Sequence, residues 1–214
     1  MSSPTVLIIG ASRGIGLEFV EQYAEAGWTV HATTRSPDNP GALGQVPGAV
    51  RIHGFDVTDD PRPLVRDVGV VDVLIHNAGV GRGTPRDQMM EINAVAPIRV
   101  VRAFLEAGSP GPGGKVMIVT SQLGARRGST ESLGDYGDSK AALNDEFRAR
   151  AEAWADFGVV AIVVHPGWVR TDMGGQSAPL SVEESVSEMC SLIAGLDSSH
   201  HGGFWNWDGR EHDW

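Results

Sequence analysis

Short runs of apolar and β-branched residues alternate along the chain with longer stretches whose apolar positions recur at helical spacing. That alternation is the pattern of a parallel sheet covered by helices on both faces. Strands are expected over residues 5–9, 28–33, 49–53, 71–76, 115–120 and 159–165, and a terminal strand brings the total to about seven. The runs are nearly continuous in Val, Ile and Leu, as strands buried from both sides must be. Helices are expected over 15–26, 86–107, 136–157 and 182–196, with Gly27 stopping the first and Ser181 with Glu184 forming a capping box for the last. Residues 59–67 form a weaker helical stretch because Pro61 and Pro63 interrupt it. The Gly- and Pro-rich segments 36–47 and 107–114 read as surface loops rather than linkers, and no internal repeat is visible. The expectation is one α/β domain over residues 1–214, a doubly wound parallel sheet with helices on both faces.

Composition narrows the class. The 41% hydrophobic and 21% charged residues of the 214 are globular proportions, which excludes wholesale disorder. Lys plus Arg number 17 against 27 Asp plus Glu, a formal charge of −10, so nucleic-acid binding through a general basic surface is not expected. The longest apolar runs, 68–75 and 159–164, fall short of the roughly 20 residues of a membrane span, and the N-terminus carries no secretory signal. Cys190 is the single cysteine, so no intramolecular disulfide or zinc ribbon can form, and the expected compartment is the cytoplasm. His200 and His201 beside Asp197 and Asp208 lack regular ligand spacing and read as a solvated loop, as do His31, His53 and His212, so no metal is expected.

The first strand runs directly into Gly10-Ala11-Ser12-Arg13-Gly14-Ile15-Gly16, and a helix follows at once. Residues without a Cβ let backbone N–H groups approach a pyrophosphate at the positive helix end; a plain tight turn uses the same glycines. A second glycine run, residues 79–83, lacks that strand–loop–helix context and reads as a flexible loop. Tyr136 and Lys140, four apart at the start of a helix, share one face. A neighbouring ammonium would favour phenolate and make the tyrosine hydroxyl a better proton donor and acceptor. Ser121, ending a buried strand, is placed to hydrogen-bond a substrate oxygen while its charge changes.

With these elements in order, the chain resembles the short-chain dehydrogenase/reductase family of single-domain Rossmann oxidoreductases. The resemblance rests on Gly10 through Gly16, Asp56-Val57, His76-Asn77-Ala78-Gly79, Asn93, Ser121, Tyr136 with Lys140, and Pro166-Gly167 followed by Thr171, and it covers nearly the whole chain. It implies a catalytic tetrad of Asn93, Ser121, Tyr136 and Lys140, with Tyr136 as general acid/base, Ser121 orienting a carbonyl and Lys140 also binding the nicotinamide ribose. Asn93 would support a water-mediated proton relay. Cofactor contacts would come from Gly10, Ser12, Arg13, Gly14, Ile15 and Gly16, from Arg35, and from Asp56 and Val57 at the adenine. Asn77, Ala78 and Gly79 would line the cleft, and Pro166, Gly167, Val169 and Thr171 would complete it, with Thr171 on the carboxamide. Residues 165–175 and 203–214 are most similar to the C-factor and sniffer-like carbonyl reductase branch. Self-association as a homodimer or homotetramer through the helices carrying Asn93 and Tyr136 is a further implication.

The departures are Ile9 where the family commonly has Thr, His76 where it often has Asn, and two extra positions between Ser121 and Tyr136, in the loop 125–135. At the end of the second strand, an acidic residue would accept both ribose hydroxyls of NAD, but that position is Thr34. Arg35 and Arg13 either converge on a 2′-phosphate, which favours NADP(H) over NAD(H), or are solvated charges. Asp172 and Met173 fall in a segment expected to gate the cleft. Trp154, Trp168, Trp205, Trp207 and Trp214 read as core or interface anchors, with Trp168 the one to test as a substrate platform. The expected activity is NADP(H)-dependent reduction of an aldehyde or ketone; the alternative is a nucleotide-binding sensor or C-factor-like signalling protein with vestigial catalysis. An epimerase or dehydratase would need a larger C-terminal substrate region than this chain has.

Overall fold

In the computed structural model, which describes residues 3–127, 132 and 134–214, seven strands form one all-parallel sheet in the order β3-β2-β1-β4-β5-β6-β7. The strands are β1 (Thr5–Ile9), β2 (Thr29–Thr34), β3 (Val50–Gly54), β4 (Val73–His76), β5 (Lys115–Val119), β6 (Val160–His165) and β7 (Phe204–Asn206). Strand order reverses between β1 and β4, so the connections leaving these two strands diverge and open a crevice at their carboxyl ends.

Alternation along each strand sorts its side chains into two cores. Val6, Ile8, Val73, Ile75, Met117, Ile162 and Val164 face one way. They meet Phe19, Val20 and Tyr23 of helix α1 (Gly14–Glu25) and Val186, Met189 and Ile193 of helix α6 (Val182–Gly195). Leu7, Ile9, Leu74, Val116, Ile118 and Val163 face the other way. There they are covered by α2 (Arg62–Val68), α4 (Ala96–Glu106) and α5 (Gly134–Ala155). The doubly wound expectation is thereby met, with element ends shifted by one or two residues.

Three local differences have physical reasons. The weak stretch at 59–67 becomes α2, because Pro61 caps it and Pro63 lies in its first turn, where a missing N–H costs nothing. The expected single helix over 86–107 is divided into α3 (Arg86–Met90), a π-helical turn (Glu91–Val95) and α4. Pro97 can supply no N–H to the Asn93 carbonyl, so a regular α-helical ladder cannot run through this point. Ser181 caps α6 as expected, its Oγ accepting the Glu184 N–H at 3.0 Å.

The segment after β7 folds back over α5. Trp214 stacks on Phe147 and packs on Phe204, with Arg148 over its ring, and its carbonyl accepts the Arg127 N–H at 2.8 Å. Trp154 is buried beside Phe147, so these two tryptophans are core anchors, whereas Trp168 is half exposed. Phe147, fully buried at the centre of this group, is the natural probe of its contribution. Phe147→Ala is expected to lower unfolding free energy by about 3–5 kcal/mol in chemical denaturation, with the denaturant slope unchanged.

Candidate active site

The glycine turn sits at the carboxyl end of β1 and depends on close backbone approach. Gly10 has φ +83°, and a Cβ there would lie 2.7 Å from the Ala78 Cα. At Gly16 a Cβ would meet the Gly10 carbonyl oxygen at 2.0 Å. That oxygen instead accepts the Asn77 Nδ2–H at 2.8 Å, while Asn77 and Ala78 donate their N–H groups to the Ile9 carbonyl. The turn is thus bolted to the segment after β4. The glycines' first duty here is packing, and what they free is the N-terminus of α1, which has no side-chain cap. The orphan N–H groups of its first turn, at Gly14, Ile15 and Gly16, suit a pyrophosphate.

Of the residues expected to flank this turn, Arg13 is exposed and paired with Asp172 at 2.9 Å, while Ser12 is exposed. Arg35, exposed after β2, is close enough to influence Asp56. The Asp56 carboxyl is held below its usual range first by the Thr58 backbone N–H at 2.9 Å, then by the Thr58 hydroxyl at 2.7 Å. Val57 is buried, and its carbonyl accepts from Arg99 at 2.6 Å.

Across the crevice, the Pro166 carbonyl accepts the Ser185 hydroxyl at 2.6 Å. Gly167 has φ +85° and would clash with Leu180 if it carried a Cβ, and Val169 is buried and bridges to Leu180. Thr171 Oγ1 accepts the Gly174 N–H at 3.0 Å, closing a tight turn. This turn lies against the glycine loops: Cβ atoms built at Gly14 and Gly81 would sit 3.4 Å from Thr171 and 3.2 Å from Met173. Asp172 and Met173 therefore lie beside the two glycine loops. The half-exposed Trp168 donates its Nε1–H to the Gly174 carbonyl at 2.8 Å.

The tyrosine and serine come together because α5 packs tightly on the turn after β5. At Gly124 a Cβ would lie 2.6 Å from the Lys140 carbonyl carbon, so only glycine permits this approach. Asn144 fastens the same junction, its Oδ1 accepting the Thr120 hydroxyl at 2.7 Å and its Nδ2 donating to the Gly124 carbonyl. Ser121 Oγ accepts the Leu123 N–H at 3.1 Å and is hydrogen-bonded to Tyr136. Burial raises the Tyr136 pKa and the Ser121 hydrogen bond partly opposes it. The expected ammonium-driven lowering is not the dominant influence, because the Lys140 Nζ donates to the Val119 carbonyl at 3.1 Å. Lys140 is itself buried, which lowers its pKa from 10.5 to about 8.

Asn93 acts as a brace. Its Oδ1 accepts the Val80 N–H, and its Nδ2 donates to the Val80 carbonyl and to Ser139 Oγ, which in turn donates to the Tyr136 carbonyl. The Asn93 side-chain amide is therefore spent on fixing Tyr136 and the loop after Gly79; a Cβ on Gly79 would be 3.2 Å from Asn93 Oδ1 and 3.6 Å from Lys140 Nζ. Gly124, Ser139, Asn144 and Pro97 are positioning residues that sequence reasoning missed. Ser139 alone carried a signal, lying between Tyr136 and Lys140. Residues 128–131 and 133 of the loop bordering this site lie outside the described residues.

The remaining candidates have structural employment. His201 Nδ1 accepts the Ala161 N–H and its Nε2 donates to the Ala151 carbonyl, while His200 pairs with Asp197. His31 and His53 bond to each other at 2.9 Å. Burial pushes the Cys190 thiol up to about 12, which removes it as a nucleophile. Among the described residues no helix is long and apolar enough to cross a membrane.

Comparison with known proteins gives a consistent result. A family model described as short chain dehydrogenase matches residues 4–179. The C-signal protein of Myxococcus xanthus is 39% identical over 156 residues, covering 68% of this chain and 94% of that protein. A short-chain dehydrogenase/reductase from Burkholderia multivorans, solved with bound NADP, superposes with a TM-score of 0.88 at 30% identity over 100% of both chains. The carbonyl reductase Sniffer of D. melanogaster superposes at 0.86, with 27% identity over 100% of both.

Burial of Lys140 has a measurable consequence. Its native pKa of about 8 lies below the ordinary 10.5, so between those values the unfolded chain binds the proton that the native state has released, and stability rises with pH. Lys140→Met is expected to raise the melting temperature at pH 7, and that advantage should shrink as pH climbs from 8 toward 10.5. A variant less stable than wild type at pH 7 would refute the argument.

Proposed function

The chain belongs to the short chain dehydrogenase family, and from that premise we propose that it is an NADP(H)-dependent reductase of aldehydes or ketones, running in reverse as an alcohol oxidation. The observation that carries this reading is the junction of Ser121, Tyr136 and Lys140 beside the uncapped α1 N-terminus, at the carboxyl edge of one sheet. Bound NADP(H) supplies the hydride.

The protein's own groups divide the remaining work. N–H groups of Gly14, Ile15 and Gly16 bind the pyrophosphate, and Asp56 and Val57 meet the adenine. Arg35 and Arg13 hold the 2′-phosphate, for which Arg13 exchanges Asp172 for a ligand anion. The Burkholderia protein's bound NADP supports this choice of cofactor. Asn77, Ala78, Gly79, Pro166, Gly167, Val169 and Thr171 shape the cleft, and Lys140 binds the ribose.

Ser121 orients the substrate oxygen, its Oγ fixed by Leu123. Tyr136, whose phenol burial keeps protonated at neutral pH, gives its proton to that oxygen as the carbonyl carbon is reduced. The raised pKa suits the reductive direction, because the group must arrive as an acid. Asn93 holds Tyr136 in register. Self-association through the helices carrying Asn93 and Tyr136 belongs to the same proposal.

The test follows NADPH oxidation against aldehydes, ketones, diketones and quinones. Tyr136→Phe is expected to reduce kcat by at least about a hundredfold, with NADPH binding, read by fluorescence, retained. Tight NADPH binding without turnover across the panel would favour a nucleotide-binding sensor, a reading to which the similarity with the C-signal protein lends interest. In the same assay Arg35→Ala is expected to weaken NADPH about tenfold while leaving NADH unchanged; equal losses for both would remove Arg35 from the 2′-phosphate.

A further inference from the structure

The turn that joins β3 to α2 carries Asp56 and Val57, the residues assigned above to the adenine end of the cofactor. Asp56 Oδ1 accepts the N–H and the hydroxyl of Thr58, and the Asp56 carbonyl accepts the Asp59 N–H at 2.9 Å. These bonds shape the turn from within without fixing it to the rest of the protein. The buried Val57 side chain ties it to the core, and a backbone tie comes from α4, where Arg99 Nη2 donates to the Val57 carbonyl at 2.6 Å across 42 positions of chain.

Arg99 is itself held. Its Nη1 donates to Glu91 Oε1 at 2.7 Å, and Glu91 opens the π-helical turn that also carries Asn93. Two regular helical turns span about seven residues, whereas these partners are 8 apart. The additional residue that a π-turn contains makes up the difference, so both side chains stand on one face. The planar guanidinium thus forks between a carboxylate on the π-turn and a carbonyl of the adenine turn. Stability alone does not account for the arrangement. The two side chains are 30% and 38% exposed, so their ion pair is screened, and the Arg99 Nε is buried with no partner among the described residues. An unmet buried donor is a local violation of the kind found where a group serves function.

Building on the reductase reading and its cofactor, we propose that Arg99 is a positioning residue for the adenine end of the nucleotide, fastening the turn 56–59 to the π-turn so that it meets the ligand already ordered. Arg99 acts through the Val57 backbone and makes no contact with the reacting atoms. Preorganisation spares the binding energy that ordering a loose turn would consume. The effect falls on cofactor affinity rather than on the chemical step, because Asn93 makes its own bonds to Val80 and Ser139 and holds Tyr136 without Arg99.

The full chain and its Arg99→Met and Arg99→Lys variants are titrated calorimetrically with NADPH and with adenosine 2′,5′-bisphosphate, which carries the adenine end alone. NADPH oxidation is followed in parallel with a carbonyl that wild type reduces. Methionine keeps the apolar stem and removes both bonds. It is expected to weaken both nucleotides about tenfold, which is about 1.4 kcal/mol, and to raise the KM for NADPH with kcat unchanged. Lysine keeps the charge and reaches one partner instead of two, so its loss is expected to be about threefold for both nucleotides. Wild-type affinity for the bisphosphate in the methionine variant overturns the proposal. So does a loss confined to NADPH, or a fall in kcat as large as the fall in affinity, which general damage to the fold would bring. If the methionine variant does not fold, the lysine variant decides, and wild-type affinity for both nucleotides overturns the assignment. Failure of the underlying reading is distinguishable: wild type would then bind neither nucleotide, or would bind both and reduce no carbonyl, and in the second case the binding comparison still decides the role of Arg99.

Discussion

The site depends on one close approach, the first turns of α5 against the backbone that follows β5. Gly124 removes the Cβ that would collide with Lys140, and the Thr120–Asn144–Gly124 hydrogen bonds hold the two segments there. With that distance fixed, Ser121 and Tyr136 meet and Lys140 reaches the Val119 carbonyl. A larger separation would return Lys140 to solvent and leave Ser121 without its aromatic neighbour. Much of the remaining architecture, from the Asn93 brace to the fold-back of residues around Trp214, keeps α5 seated.

Holding a lysine inside the protein has an electrostatic cost that runs through the surrounding layer. His76, Asn93, Thr120, Ser139, Lys140 and Asn144 are all buried at the carboxyl ends of β4 and β5 or on the elements packed above them. Below this layer the face is largely apolar, from Leu7 to Phe204. The polar groups of the candidate site are thus gathered at one edge of the sheet, where they are dry enough for burial to shift Tyr136 and Lys140 in opposite directions. Such opposing shifts separate a proton donor from the cation beside it, which is what the proposed acid catalysis would use. Stability is given up locally for that arrangement.

The crevice itself follows from topology. Reversal of strand order between β1 and β4 opens a gap that no side chain has to be removed to create, and the uncapped end of α1 faces it. Residues 171–175 lie across the opening, and their exposed Arg13–Asp172 pair joins lid to glycine turn. An exposed ion pair of this kind contributes at most about 1 kcal/mol. Residues 171–175 are therefore held to the glycine turn at this point by a weak contact.

Periodicity determined the doubly wound sheet and its two faces, because strands buried on both sides must be nearly continuous in apolar residues and helices must present a stripe. The order of Gly10 to Gly16, Ser121, Tyr136 and Lys140 announced the site, because local spacing places groups on one turn or one helix face. Tertiary structure alone decided what those groups experience. The π-helical turn at Asn93, the spending of its amide on Val80 and Ser139, the need for glycine at position 124 and the isolation of His76 all arise from residues far apart in sequence. Likewise the ammonium expected to lower the Tyr136 pKa is held by Val119, and burial raises that pKa instead. Spacing along a chain fixes which side chains can meet; the dielectric around them and the partners left over are set only when distant segments close the site.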